Sequence, residues 1–332
     1  MDPRIKAMFM DEYAEEGAAR FGVGPEELTF IGGFQNFIYS YQREDGKYIL
    51  RFTPSTLRTW EGVSAELDWI LYLAQHELKV SVPLLSMEGK RIERIAGGGI
   101  ASFYATSFTY APGRKIGYPE CLGNPYLYEQ CGRFTSRLHD LSRSFKPTEA
   151  GRRHTWERNE YLLRAERYLP QGHQPILLAL NELKSELAGL PVTPEHFGLI
   201  HGDINVGNFT LDESGEMTLF DFDECQYSWY TEDIAIQLYY LLYVFGEDSR
   251  AERKTQYELF MKHFERGYTD GGRQLPRHLK DQLGIFLRLR DIIVLVGMHR
   301  SWDLSQPDDW TRDFLQDSWA RITNGKSLID GF

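Results

Sequence analysis

The stretch His201-Gly202-Asp203-Ile204-Asn205-Val206-Gly207-Asn208 packs an acid, two amides and two glycines into one connection. It stands between an apolar run (Phe197, Leu199, Ile200) and a strand-like stretch, Phe209-Thr210-Leu211. A second strand-like stretch, 217–220, leads into Asp221-Phe222-Asp223, and the turn residues Asp212-Glu213-Ser214-Gly215-Glu216 lie between the two. A hairpin returns the chain to where it began, so Asp221 is expected close to Asp203 and Asn208. Two carboxylates and an amide converging on one point make an oxygen-rich site. Such a site suits Mg²⁺, which prefers few protein ligands completed by substrate phosphates. Polar turns at strand ends would explain any one of these residues, but they explain the joint spacing badly.

Positioning such a site needs a large scaffold. The chain has 332 residues, long for one core, which predicts two lobes or domains. Apolar residues make up 42% of it, enough for a globular protein. No run approaches the roughly 18 to 20 apolar residues of a spanning helix, so no membrane segment is expected. The amino terminus carries charges throughout and lacks the apolar stretch of a signal peptide. Cys121, Cys131 and Cys225 show no metal-ligand spacing, and their odd number argues against a disulfide framework. A cytoplasmic chain is the simplest expectation. The net charge of −11 disfavours nucleic acid as a partner and is compatible with a cationic substrate. The oligomeric state is not legible.

The first hundred or so residues read as β-rich with one inserted helix. Strands over 38–43 and 48–52 flank Glu44-Asp45-Gly46-Lys47, whose Asp-Gly is a strong hairpin signal. A helix is expected over 58–78, with Val63, Leu67, Ile70, Leu71 and Ala74 at helical spacing. Short strands follow at 83–85, 91–95 and 100–108. Gly97-Gly98-Gly99 reads as a hairpin turn, because no helix follows it. Before all of these, the Ala- and Glu-rich amino terminus reads as a surface helix ended by Gly22. Tyr110-Ala111-Pro112-Gly113 marks a boundary, and the character then becomes helical. Helices are expected over 125–141, 159–190, 232–245, 252–267, 277–298 and 310–322. The first carries one apolar stripe of Leu127, Cys131, Phe134, Leu138 and Leu141.

His201-Gly202-Asp203, four residues, then Asn208 matches the spacing of the protein-kinase catalytic loop, and Asp221 stands where a metal-binding Asp follows. Glycine after the histidine is the variant found in the aminoglycoside phosphotransferase and choline kinase family, which the sequence resembles over most of its length. Gly132 to His139 and Glu232-Asp233-Ile234-Ala235 are similar to two further helix motifs of that family. The resemblance implies an α+β, two-lobed, protein-kinase-like fold. A β-rich N-lobe would cover 1–108, an interlobe linker 109–113 and a mostly helical C-lobe 114–332.

The resemblance also implies roles. Asp203 would accept or orient the proton of a substrate hydroxyl. Asn208 and Asp221 would hold Mg²⁺ against the phosphates of ATP or GTP. His201 would brace the catalytic loop, since Asp203 takes the position of the base. Adenine would bond to linker backbone around Tyr110 and Ala111. Ile31-Gly32-Gly33-Phe34-Gln35-Asn36, with Gly33 at its turn, is similar to the family's short glycine turn. Arg51 stands where a protein kinase carries lysine, and its guanidinium can grip phosphate through two parallel hydrogen bonds. Glu66 borders the apolar stripe of its helix and is favoured over Glu61 as the partner of Arg51.

Other residues keep two readings. Trp229 and Tyr230 either stack on a cationic substrate or pack in the interior. Asp223 either touches a second metal or the substrate, or caps a turn. Asp233 reads as a helix-start stabiliser and His139 as structural. The implied reaction is transfer of a γ-phosphoryl group to a hydroxyl of a small molecule. Aminoglycoside, macrolide, choline, homoserine, sugar and methylthioribose-like acceptors all stay open, as does a protein serine or threonine. A non-catalytic nucleotide-binding module is disfavoured by the intact Asp203, Asn208 and Asp221 set.

Overall fold

The computed structural model describes residues 6–33, 35–97, 102–148, 151–270 and 275–329. Phe34, Gly98, Gly99 and Ile100, which belong to two of the turns and one strand expected above, lie outside them. The chain divides into two compact units, Met1–Pro112 with Lys146–Arg153, and Gly113–Phe145 with His154–Phe332.

The first unit is built on an antiparallel sheet. Its strands are β1 (Thr29–Gly32), β2 (Phe37–Arg43), β3 (Gly46–Pro54), β4 (Pro83–Leu84), β5 (Glu93–Ala96) and β6 (Ser102–Thr109). The order is β1-β2-β3-β6-β4, with β5 also on β6. Arg43 pairs with Gly46, so the β2–β3 loop is tighter than the four-residue turn read from the sequence. Helix α1 (Asp11–Arg20) is not a mere surface helix. Its Tyr13, Ala14 and Ala18 are buried with Phe37, Leu50, Phe52 and Phe103 from the sheet. Small residues on that face let the helix lie close to the strands. Leu50 and Phe52 point into this core, so the two-residue alternation of a strand turns Arg51 to the opposite face. Helix α2 (Trp60–Gln75) starts two residues later than expected, because the Thr59 side chain caps it by accepting from the Gly62 amide.

The second unit is mainly helical. Helix α3 (Pro125–Ser144) begins at an Asn124 cap. The single helix expected over 159–190 is instead three pieces, α4 (Glu160–Leu163), α5 (Ala165–Tyr168) and α6 (Gln174–Ala188). Pro170 and Gly172 lie in the last gap, where a helix cannot run through. Helices α7 (Tyr230–Leu242) and α8 (Arg250–Tyr268) follow. The expected 277–298 helix breaks at Gln282 into α9 (Arg277–Asp281) and α10 (Leu283–Ser301), and α11 (Asp309–Thr323) comes last. Two antiparallel pairs frame the loops of interest. Strand β7 (Phe197–Ile200) pairs with β10 (Gln226–Trp229), a strand with no counterpart among the expected elements, and β8 (Phe209–Leu211) pairs with β9 (Met217–Leu219). Among the described residues, no helix is long and apolar enough to cross a membrane.

Helices α3 and α8 meet through glycine on both sides. A Cβ on Gly132 would run into the Phe264 carbonyl, and one on Gly267 into that of Glu129. This close approach gives Gly132 a packing reason for its place in the Gly132–His139 motif. Gly132→Ala is therefore expected to cost roughly 1–3 kcal/mol through overpacking. A thermal melt checks it: a midpoint within experimental error of the parent would mean the helices can part freely.

Candidate functional site

The loop 201–208 joins β7 to β8 and is anchored from beneath. Asp233, in the first turn of α7 and fully buried, accepts the His201 amide at 3.0 Å and the Gly202 amide at 2.9 Å. Its main work is thus to hold the loop, beyond the helix-start role read from the sequence. His139 Nε2 lies 3.5 Å from the same carboxylate. The Asp203 amide donates to His201 Nδ1 at 3.2 Å, so Nε2 carries the ring proton and donates to the Phe220 carbonyl at 3.2 Å. Burial lowers the His201 pKa to about 4, which leaves the ring neutral. One ring nitrogen is spent inside the loop and the other ties it to Phe220, just ahead of Asp221, an arrangement that suits a brace. Gly202 sits at φ 78°, and a side chain there would strike the Glu224 carbonyl. Glycine is required at the second position of this motif for that reason.

Asp203 is held from two sides. Asn208 Nδ2 donates to Asp203 Oδ2 at 2.9 Å and to the Asp203 carbonyl at 2.9 Å. The other carboxylate oxygen is ion-paired with Arg290 of α10. Arg290 also donates to the Tyr240 hydroxyl at 2.8 Å, and its guanidinium lies 5.0 Å from the centre of the Tyr240 ring. Burial raises the Asp203 pKa, while the Arg290 charge and the Asn208 hydrogen bond oppose the rise. Burial likewise pushes the Tyr240 phenol up to about 12, so it stays protonated. The Asp203 side chain keeps 24% of its surface exposed, against 9% for Arg290. The carboxylate is accessible and its counter-ion is not.

Arg290 and Tyr240 are not among the site residues expected from the sequence. The signal the sequence offers is Arg290-Asp291 in the middle of a largely apolar helix, both buried. Charges buried in such a helix must have partners. Those of Asp291 are the Tyr239 hydroxyl, Ser318 and Arg321.

The hairpin brings Asp221 back as expected. Phe209 pairs with Leu219, and the Phe220 amide donates to the Asn208 carbonyl at 2.9 Å, so Asp221 follows directly beside Asn208. Asp221 is exposed and left-handed, φ 63° and ψ 64°, a conformation uncommon outside glycine. The two hydrogen bonds to Asp203 take both amide hydrogens of Asn208, leaving its Oδ1 for a cation. Among the described residues no three His, Cys, Asp or Glu side chains come together as a metal site. A cation held by Asn208 and Asp221 would complete its shell with a bound molecule and water. This fits Mg²⁺ on a nucleotide.

In the first unit, Arg51 grips Glu66 through two parallel hydrogen bonds of 2.7 and 2.9 Å. Their side chains are 4% and 0% exposed, whereas Glu61 faces outward. Tyr110 is exposed, its ring covers the Lys47 ammonium at 4.5 Å and its amide donates to the Lys47 carbonyl; Ala111 is buried. Gly33 follows β1, ahead of the buried Gln35 and Asn36. Trp229 and Tyr230 are packing residues, almost fully buried, with Trp229 Nε1 donating to the Pro191 carbonyl. Asp223 is buried in the short turn Phe222–Glu224. The aromatic surface near Asp203 comes from elsewhere. Tyr240 meets Tyr243 edge-on, Tyr243 meets Trp310 edge-on, and the Tyr118 hydroxyl donates to the Tyr240 carbonyl. Tyr118 and Trp310 carry this wall out to solvent.

Residues 28–269 match the APH family, described as a phosphotransferase enzyme family. The chain belongs to this family. The amicoumacin kinase of Bacillus subtilis (strain 168) is 32% identical over 328 residues, which are 98% of this chain and 95% of that protein. Among solved structures, an amicoumacin kinase in complex with AMP-PNP, Ca²⁺ and Ami superposes with a TM-score of 0.89 at 30% identity, covering 99% of this chain and 98% of that one. A microcompartment-associated aminopropanol kinase, 20% identical, shares the fold with a TM-score of 0.75 over 96% of this chain and 99% of its own. The α+β, protein-kinase-like fold expected from the sequence is therefore the fold of this phosphotransferase. Like its family, it is a kinase of small molecules that acts on a hydroxyl group, with ATP and a divalent cation.

The Arg51–Glu66 pair gives a stability prediction. Arg51→Met leaves Glu66 buried without a counter-charge and should cost about 3–5 kcal/mol. Adding Glu66→Met should recover most of that loss, because the pair pays its own desolvation. Denaturant unfolding of the parent and these two variants measures both, and equal destabilisation by the single and the double change would contradict the coupling.

Proposed function

We propose that this phosphotransferase moves the γ-phosphoryl group of ATP or GTP to a hydroxyl of amicoumacin or a close analogue. The observation that carries the chemistry is the double hold on Asp203: Asn208 on one oxygen, Arg290 on the other, and part of the carboxylate open. In this reading Asp203 receives or orients the acceptor hydroxyl proton. Arg290 keeps it ionised and aimed despite burial. His201 and Asp233 hold the loop so that Asp203 and Asn208 keep their spacing. Asn208 and Asp221 would hold the divalent cation, which when bound neutralises phosphate charge. Little covalent work is asked of the protein, because phosphoryl transfer depends mainly on positioning and charge. Arg51, braced by Glu66, Gly33 and the Tyr110–Ala111 backbone would serve the nucleotide. Residues 109–113 would link this nucleotide-holding part, 1–108, to the acceptor-holding part, 114–332.

The acceptor assignment is supported by identity to the amicoumacin kinase along nearly the whole chain. The wall of Tyr118, Tyr240, Tyr243 and Trp310 beside Arg290 supplies ring faces, which suit an aromatic or cationic acceptor. Mass spectrometry of amicoumacin incubated with the protein, ATP and Mg²⁺ should find one added phosphoryl group. An unmodified compound, alongside phosphorylation of a different acceptor in a mixed panel, would overturn the assignment.

The roles are tested separately. Asp203→Asn keeps the hydrogen-bonding shape but not the proton-accepting charge, and should lower turnover by about 10² or more. Arg290→Met should lower it on the order of 10² by letting Asp203 drift. Both should leave nucleotide affinity within a few-fold. Near-normal turnover in Asp203→Asn would remove it from the position of the base.

A further inference from the structure

Residues 113–118 form a strap in the second unit that is fastened at both ends. At one end the Arg114 amide donates to the Leu211 carbonyl at 2.9 Å, and the Leu211 amide donates to the Arg114 carbonyl at 3.0 Å. Gly113 permits the approach. Its φ is 94°, and a Cβ there would strike the Leu211 carbonyl. At the other end the Tyr118 hydroxyl donates to the Tyr240 carbonyl of α7. Ile116, between the two fastenings, is buried. Because the Arg114–Leu211 pairing is antiparallel, the residues after Arg114 run back toward the start of β8, where Asn208 stands.

Lys115 is the cation that the strap carries to that end. Its ammonium lies 5.3 Å from the centre of the Phe220 ring. Phe220 is tied to both parts of the loop: its amide donates to the Asn208 carbonyl at 2.9 Å, and His201 Nε2 donates to its carbonyl at 3.2 Å. The exposed Asp221 is the next residue. A ring face attracts an ammonium but does not neutralise it. Lys115 is exposed, and among the described residues no carboxylate pairs with it. Its neighbours in charge are already committed, Arg114 to Glu120 through bonds of 2.7 and 2.6 Å, and Arg290 to Asp203. A nucleoside triphosphate keeps a net negative charge after one divalent cation has bound. Lys115 is a positive charge in this unit placed to meet it.

We propose, on the reading that Asn208 and Asp221 hold the cation, that Lys115 binds the phosphate chain of the donor nucleotide. The ammonium is a compact point charge on a flexible stem, so it meets phosphate oxygens without a fixed approach angle. The strap fixes where that stem begins. The contact is present in the bound ground state, so it strengthens donor binding and leaves turnover nearly unchanged.

The test uses the full chain. Acetylation of individual lysines by an N-hydroxysuccinimide ester is followed by peptide mass spectrometry, with saturating Mg²⁺-ADP or saturating adenosine added. Mg²⁺-ADP should slow labelling of Lys115 several-fold, adenosine should not, and the exposed Lys262 of α8 should label alike throughout. In parallel, Lys115→Met should weaken Mg²⁺-ADP binding and raise the KM for ATP by about five- to twentyfold, a charged contact discounted for its exposure. The loss should shrink as salt is raised, Lys115→Arg should recover most of it, and kcat and the melting midpoint should stay close to the parent. Equal protection by adenosine would place the ammonium on the nucleoside and overturn the phosphate contact. No protection by Mg²⁺-ADP, or unchanged ADP affinity in Lys115→Met, would overturn the role of Lys115 itself. Asp221→Ala tests the underlying reading separately. If ADP binding in that variant keeps its Mg²⁺ dependence while Lys115 is still protected, the cation assignment fails and the lysine–phosphate contact stands.

Discussion

A carboxylate that must be both charged and largely out of water governs the second unit. Removing an ion from water costs several kcal/mol even after the protein relaxes, and geometry must compensate. For Asp203 the compensation is local on one side, Asn208 five residues on, and distant on the other, Arg290 on α10. Arg290 is in turn tied to Tyr240 on α7, and α7 carries Asp233, which fixes the loop from below. One charge thereby sets the mutual placement of α7, α10 and the loop between β7 and β8.

The first unit repeats the principle with a different pair. Arg51 and Glu66 are enclosed and doubly hydrogen-bonded, a geometry in which neither partner can be removed alone without leaving the other's charge buried and unpaired. Buried ion pairs are weak sources of stability when compared with well-packed apolar residues. These two pairs therefore place and orient particular side chains more than they add stability, and Asp221 is likewise held in a left-handed backbone that few side chains adopt. The same contrast separates Asp291 and Arg321, which knit α10 to α11 away from the site.

What could be read from the sequence followed from local rules. The turn residues at 212–216 are enough to bring Asp221 beside Asn208, because an antiparallel hairpin returns the chain alongside its start. Glu66 was preferred to Glu61 because it borders an apolar stripe, and burial there is what the pair uses. Contacts between distant segments were not legible. Arg290 lies 87 residues from Asp203, and helical spacing gives no hint of which charge a buried arginine will meet. Strand β10 escaped notice because four residues between a turn and a helix carry little periodic signal. The breaks at Pro170–Gly172 and Gln282 were passed over because apolar spacing continues on either side. Burial decides Trp229 and Tyr230 for packing, and the aromatics that carry the Tyr240 side out to solvent are Tyr118 and Trp310.

The central claim is that Asp203, held by Asn208 and Arg290, meets the reacting hydroxyl. A crystal structure of the chain with an acceptor it phosphorylates, Mg²⁺ and a non-hydrolysable ATP analogue tests it most directly. The acceptor hydroxyl should lie at hydrogen-bond distance, about 2.6–3.2 Å, from the Asp203 carboxylate, with Arg290 still on the opposite oxygen. A hydroxyl seated against another side chain, with Asp203 pointing away from it, would contradict the account.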